Sequence, residues 1–315
     1  KLSKGLCTKL PRPLPNAQTD ASADNVNDTE PQVPMQRLVQ GDVGSGKTVV
    51  AALALAKAVE NGYQGALMAP TGILATQHYE ELNRLFKDLP VRIALLTGRT
   101  TGKERELILQ KAAHREVDIL VGTHALIQDD VIFSDLALVV TDEQHRFGVR
   151  QRAALRNKGK DVHTLFLTAT PIPRTMALSV YGDLDVSTMR ELPPGRKPVK
   201  TYAVTEGMRS RIYTFMRKEI AAGHQCYVVC PLVEESASAD LQAATALYES
   251  LKSTDFADIS CGLVHGRMSG KEKDEVMERF QKGDIKLLVA TSVIEVGVNV
   301  PNATIMYVDG AERFG

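Results

Sequence analysis

The sequence predicts an α/β fold built as two consecutive lobes, each a parallel sheet flanked by helices. Three observations predict it. Short apolar runs alternate with stretches of helical period along most of the 315 residues, the pattern of βαβ units. A glycine-rich octet, GDVGSGKT at 41–48, stands between the first apolar run and the first helical stretch. From Glu191 to Pro198 three prolines and a glycine can continue neither element, and the alternation resumes beyond them.

Taken in order, residues 1–34 read as a connector, poorly ordered and without a core. From Asn16 to Pro34 the chain is acidic and rich in Asn, Asp, Thr and Pro, with almost no apolar periodicity. Residues 35–192 form the first lobe. Its strands are expected at 37–39, 65–69, 91–96, 117–121, 136–140 and 164–167, and its helices at 47–60, 73–87 and 102–114. Residues 193–198 are the linker. Residues 199–315 form a second lobe, with strands at 199–204, 226–230, 259–264, 286–290 and 304–308 and helices at 207–222, 236–252 and 269–282. The charged residues of the last helix read as a solvated face.

Composition narrows the function. The formal net charge is zero, so no global basic field announces nucleic acid, although a basic groove on a neutral protein suffices. No apolar run approaches the roughly 20 residues of a membrane span, and no signal peptide is visible, so no membrane role is expected. Cys7, Cys226, Cys230 and Cys261 lack a metal-ligand spacing. Cys226 and Cys230 share one face of an expected strand and read as packed thiols. Without a disulfide framework the expected compartment is a reducing cytoplasm. The absence of Trp and the few aromatics argue against a wide base-stacking platform.

The octet Gly41, Asp42, Val43, Gly44, Ser45, Gly46, Lys47, Thr48 fits the P-loop pattern in its required strand–turn–helix context. Glycines let backbone N–H groups curl around phosphate, and the helix N-terminus adds its positive end. Lys47 then reaches the β/γ-phosphates and the Thr48 hydroxyl serves Mg²⁺. These residues are expected to bind a nucleoside triphosphate and Mg²⁺. A second constellation, Val139-Val140-Thr141-Asp142-Glu143-Gln144-His145, sets two carboxylates just past an apolar strand. Ligands of open α/β sheets bind outside the carboxyl ends of the strands. Asp142 is the expected metal partner and Glu143 the residue that orients and deprotonates the attacking water. Thr168-Ala169-Thr170-Pro171 closes another strand on the same edge.

Seven segments in order carry a resemblance: GDVGSGKT, APTGILATQH (69–78), VGTHALIQ (121–128), TDEQHRFGVRQR (141–152), TATPIPRT (168–175), GLVHGRM (262–268) and ATSVIEVGVNVPNA (290–303). From Met35 onward the chain resembles superfamily 2 helicases of the DExH type, and within them the bacterial RecG family. The resemblance implies RecA-like lobes, the second incomplete at its C-terminus, and an ATP-dependent DNA helicase or translocase of recombination and fork repair. It implies ATP and Mg²⁺ as cofactors, and forked or branched DNA and a single-strand-binding protein as partners. The implied location is the bacterial cytoplasm at the nucleoid. Lys47, Asp142, Glu143, Gln144 and His145 would be catalytic. Thr168, Thr170, Gly297 and Asn299 would couple the nucleotide state to the other lobe. Pro70, Thr71, Gly98, Thr123 and His124 in lobe one, and His265, Gly266, Arg267, Thr291 and Ser292 in lobe two, would touch the DNA backbone. His78, His114, His163 and His224 are expected to be surface or structural.

The chain departs from the family in four places. It stops at Gly315, ahead of the family's arginines that reach the γ-phosphate, and it lacks the family's N-terminal wedge and C-terminal translocation element; alone it is expected to bind nucleotide with little turnover. Asn299 replaces an Asp, and Gly72 replaces the Glu that usually follows APT. Leu14-Pro15-Asn16-Ala17-Gln18 resembles the segment whose Gln reads adenine, with Pro15 at the usual Thr; Gln18 is the expected adenine contact. Two other readings stand beside this one: a translocase of the transcription-repair coupling type, and a nucleotide-binding module without hydrolysis.

Overall fold

The computed structural model describes residues 2, 6, 18, 19, 21, 22, 34–143, 154–169, 184–189, 199–230, 237–291 and 300–313. They fall into two compact units, Lys1–Lys197 and Pro198–Gly315.

In the first unit, β1 (Gln36–Gly41) feeds through the P-loop into α1 (Lys47–Glu60). There follow β2 (Gln64–Met68), α2 (Gly72–Leu85), β3 (Ile93–Leu96), α3 (Gly102–Ala113), β4 (Ile119–Gly122), β5 (Leu136–Asp142), β6 (His163–Thr168) and β7 (Asp185–Met189). The sheet order is β3-β4-β2-β5-β6-β1-β7, and every pair in it is parallel. Both faces must therefore be covered, which explains why β2 and β4 are buried along their whole length. The helices present one apolar stripe to the sheet. In α2 the buried positions are Ile73, Leu74, Ala75, His78, Leu82 and Leu85, spaced by three and four as a single helix face requires.

The second unit contains α4 (Arg209–Ala221), β8 (Gln225–Cys230), α5 (Ala237–Ser253), β9 (Cys261–Val264), α6 (Gly270–Lys282), β10 (Leu287–Thr291) and β11 (Ala303–Val308). Its parallel sheet runs β11-β8-β10-β9. Cys226 and Cys230 lie in its buried core beside Met216, Phe256 and Val289. Burial pushes their thiols up to about 12 and about 11, so they are inert packing groups. A capping box starts α6: Ser269 accepts the Glu272 N–H, and Glu272 accepts the Ser269 N–H.

One device recurs in both units. Gln64, at the start of β2, donates to the carbonyls of Ala112 (2.9 Å) and Val117 (2.7 Å) and accepts from the N–H groups of Ser134 and Asp135. Gln225, at the start of β8, likewise donates to the carbonyls of Phe280 and Ile285. Each glutamine satisfies the backbone where a helix returns to the next strand, so both are buried without an unpaired polar group.

Three expectations are corrected. The segment 199–204 joins no sheet; Val199 and Tyr202 are exposed, and among the described residues no strand lies alongside to complete a ladder. A strand unread in the sequence, β7, closes the first sheet at its edge. It is short and polar, and is held by the register Arg37↔Asp185 and by a 2.7 Å bond from Arg37 Nη1 to Ser187 Oγ. The described residues of 1–34 are not a loose connector: Leu6 and Ala21 are buried, and Gln18, Thr19, Ala21 and Ser22 are helical. Single buried apolar residues such as these two leave no periodicity for the sequence to show. The expected linker 193–198 lies outside the described residues. Among those described, no helix is long and apolar enough to cross a membrane.

Candidate nucleotide site and nucleic-acid edge

Sheet order brings the chemistry together. Register pairs Gln40 of β1 with Thr168 of β6, and Leu167 of β6 with Asp142 of β5. The P-loop, Thr168 and the Asp142–Glu143 pair therefore leave three neighbouring strands at the same carboxyl edge. This is where the switch in strand order opens a crevice in α/β sheets.

The loop is shaped to hold phosphate. Gly46 caps α1 in the left-handed region (φ 89°) and Gly44 shares that region (φ 80°). The first turn of α1 holds no acidic side chain and no side chain caps it, so its N–H groups and positive dipole end are offered to an anion. The Lys47 ammonium donates to the carbonyls of Gly41 (2.8 Å) and Asp42 (3.0 Å). Burial pushes Lys47 below its ordinary pKa, and attraction by Asp142, Glu143 and Asp42 opposes that shift. Three acids thus face one cation. Ser45 is buried and Thr48 half-buried in the same loop, while Val43 is exposed.

Asp142 and Glu143 are both buried. Asp142 Oδ1 accepts the Glu143 N–H at 3.0 Å, and Glu143 Oε1 accepts the Ala169 N–H at 3.3 Å. Glu143 holds φ 48°, an uncommon backbone region for a side chain of its size and a mark of sites where geometry outranks comfort. Gln18 donates its side-chain amide to the Ser45 carbonyl at 2.8 Å, so the expected adenine contact does abut the P-loop.

The expected DNA-contact residues of the first unit follow the remaining strands along this edge. Pro70 and Thr71 follow β2, Gly98 follows β3, and Thr123 and His124 follow β4. Because the order is β3-β4-β2-β5-β6-β1, these positions fill one half of the edge and the nucleotide positions the other. At about 4.8 Å between strands, β3 to β1 spans roughly 24 Å. Thr71 N-caps α2, accepting from the Leu74 N–H, so the helix begins cleanly even though Gly72 opens it. Gly98 and His124 are exposed, whereas Thr123 is buried with its hydroxyl unpartnered among the described residues.

In the second unit His265, Gly266 and Arg267 follow β9, and Thr291 ends the adjacent β10. Gly266 and Arg267 are exposed and His265 half-buried. Burial and then the nearby Lys273 cation hold His265 below the usual histidine range. Gln144, His145, Thr170, Ser292, Gly297 and Asn299 lie outside the described residues.

Sequence reasoning missed one residue here. His78 is buried on α2, and its Nε2 lies 2.7 Å from Asp142 Oδ2. The sequence marks His78 only as surface or structural, and nothing in it pairs the residue with Asp142.

A tandem α/β helicase core is the class that this P-loop, acidic pair and second parallel sheet define. The chain belongs to that class: residues 24–178 match the DEAD/DEAH box helicase family and residues 209–312 the helicase conserved C-terminal domain. Its similarity within the class is to RecG. It is 53% identical over 306 residues to the ATP-dependent DNA helicase RecG of Bacillus subtilis (strain 168), covering 97% of this chain and 45% of that protein. It is 49% identical over 315 residues to RecG of Thermotoga maritima, covering 100% of this chain and 40% of that protein. The chain thus spans less than half the length of these relatives. A solved structure of RecG bound to a three-way DNA junction superposes with a TM-score of 0.85 at 47% identity, over 100% of this chain and 41% of that one. The DEAD-box helicase Mss116 shares the fold alone, with a TM-score of 0.68 at 16% identity over 98% of this chain and 67% of that one.

Proposed function

We propose that this chain is the motor core of an ATP-dependent DNA helicase or translocase of the RecG type, acting on branched DNA. The observation that carries the proposal is the placement of Lys47 and the Asp142–Glu143 pair at one carboxyl edge, continuous with Pro70, Gly98 and Thr123 just past β2, β3 and β4. A nucleotide sensor and a backbone-contacting surface on one rigid sheet can be energetically linked. In this reading the P-loop N–H groups and Lys47 hold the triphosphate. Gln18, bonded to the Ser45 carbonyl, would contact the adenine. Glu143 orients and deprotonates the attacking water, a role worth about 10²–10⁴ in rate.

The donor set fits Mg²⁺. Among the described residues no cluster of three His, Cys, Asp or Glu could hold a metal by itself, and Mg²⁺ is commonly held by one or two carboxylates together with substrate phosphates. Asp142 and the Thr48 hydroxyl are the residues that would hold it. When bound, it would neutralise charge on the β- and γ-phosphates. Gln144, His145, Thr170, Gly297 and Asn299 keep the roles the family resemblance gives them. The forked substrate, a single-strand-binding partner and the cytoplasmic location rest on that resemblance and on RecG's likeness to this chain.

Grip on the backbone predicts DNA affinity that is independent of sequence and falls steeply with salt. Fluorescence anisotropy with forked duplexes of several sequences tests it. Arg267→Ala should weaken every duplex alike and flatten the salt slope by about one unit. Loss confined to one sequence would mean base readout and overturn the proposal.

A further inference from the structure

We propose that His78 is a positioning residue that holds the Asp142 carboxylate in the orientation needed for metal-dependent nucleotide binding. The inference rests on the reading above that Asp142 serves Mg²⁺. The two side chains are 8% and 12% exposed, and Nε2 and Oδ2 stand 2.7 Å apart. The other Asp142 oxygen is already taken by the Glu143 N–H. Both oxygens are therefore engaged, one by the chain itself and one by α2, and the carboxylate has no freedom to turn. A carboxylate oxygen accepts, so in this pair Nε2 is the donor.

A histidine kept only for packing would be a poor choice here. Nδ1 is buried with no partner among the described residues, and an unpaired buried polar atom costs stability. Leu or Met would fill this face of α2, beside Leu74 and Leu82, without that cost. What an apolar residue cannot do is donate to Asp142. The geometry is that of an outer residue fixing a ligand, whose loss commonly costs 10–100-fold in metal affinity.

The test is titration of a fluorescent ADP analogue into the protein with Mg²⁺ and with EDTA, comparing how much the metal tightens binding. His78→Ala should leave the EDTA affinity unchanged and cut the Mg²⁺ enhancement by at least about tenfold. His78→Gln should restore it, because its amide nitrogen reaches the position of Nε2. His78→Asn, equally polar but one methylene shorter, should not, and this pair decides the matter even if the alanine variant unfolds. In an Asp142→Asn background, His78→Ala should have no further effect. If Asp142→Asn loses the enhancement while His78→Ala or His78→Asn keeps it, or if the histidine variants lose EDTA and Mg²⁺ affinity by the same factor, the inference is overturned. If Asp142→Asn keeps the enhancement, the assignment of Asp142 to the metal is what fails.

Discussion

Glu143 accepts the backbone N–H of Ala169 at 3.3 Å, tying the residue after β5 to the residue after β6. The link matters because Glu143 sits in a left-handed backbone conformation at φ 48°. Its side chain is thereby aimed along the sheet edge toward the next strand end instead of out into solvent. A change at Glu143 is thus felt at Thr168–Ala169, and the reverse.

Gly46 is a position where the loop tolerates no side chain. At φ 89° any other residue is strained, and a Cβ there would stand 1.8 Å from Gln18 Nε2. Gln18 can swing aside, but the strain cannot be relieved that way. Gly46→Ala should cost about 1–2 kcal/mol of stability and abolish binding of a fluorescent ADP analogue. Gln18→Ala should cost less stability and chiefly reduce the preference for ADP over GDP. Thermal melting with parallel titrations checks both; a Gly46→Ala protein that binds nucleotide normally would remove this loop from the account.

Gly98 behaves oppositely. It is exposed, and an added Cβ meets nothing within 4 Å, so the fold itself does not require glycine there. Gly98→Ala should melt at the parental temperature yet bind forked DNA more weakly, because a methyl group would intrude where backbone phosphate approaches the chain. Unchanged DNA affinity would take Gly98 out of the nucleic-acid edge.

His163 gives the first unit an acid sensitivity. Its Nδ1 accepts the Met35 N–H at 2.9 Å, which requires the unprotonated nitrogen, and burial pushes its pKa below 6.5. The folded state therefore binds fewer protons than the unfolded one in the window just below pH 6.5. Stability is full above that value and falls as pH drops through the window toward the folded-state pKa. His163→Asn keeps an acceptor near the same place without the titration. Urea melts between pH 7.5 and 5 should show a flatter pH dependence for the variant; an identical slope would locate the sensitivity elsewhere.

Much of this was legible in the sequence, for identifiable reasons. The expected helix 47–60 coincides with α1 because a glycine-rich turn fixes its start and an Asn-Gly pair its end. The interior strands were legible because a parallel strand covered on both faces reads as an unbroken apolar run, as Leu136–Val140 of β5 does. The edge strand β7 carried no such signal. Asp185–Met189 is polar and mixes exposed and buried residues over only five positions. The 199–204 run has strand composition, which cannot reveal whether a partner strand is present. The P-loop and the Asp-Glu pair were readable as local pattern. The His78–Asp142 and Gln18–Ser45 contacts join residues 64 and 27 positions apart, and only the folded sheet brings them together.

The central claim is that nucleotide and DNA are linked through this sheet. Binding linkage is reciprocal, with typical factors of about 5–150. The most direct measurement is the affinity of the protein for forked DNA with and without a saturating non-hydrolysable Mg²⁺–ATP analogue. The account predicts affinities that differ at least about fivefold, with the difference erased by Lys47→Ala. Equal affinities in both conditions, in a protein shown to bind the analogue, would contradict it.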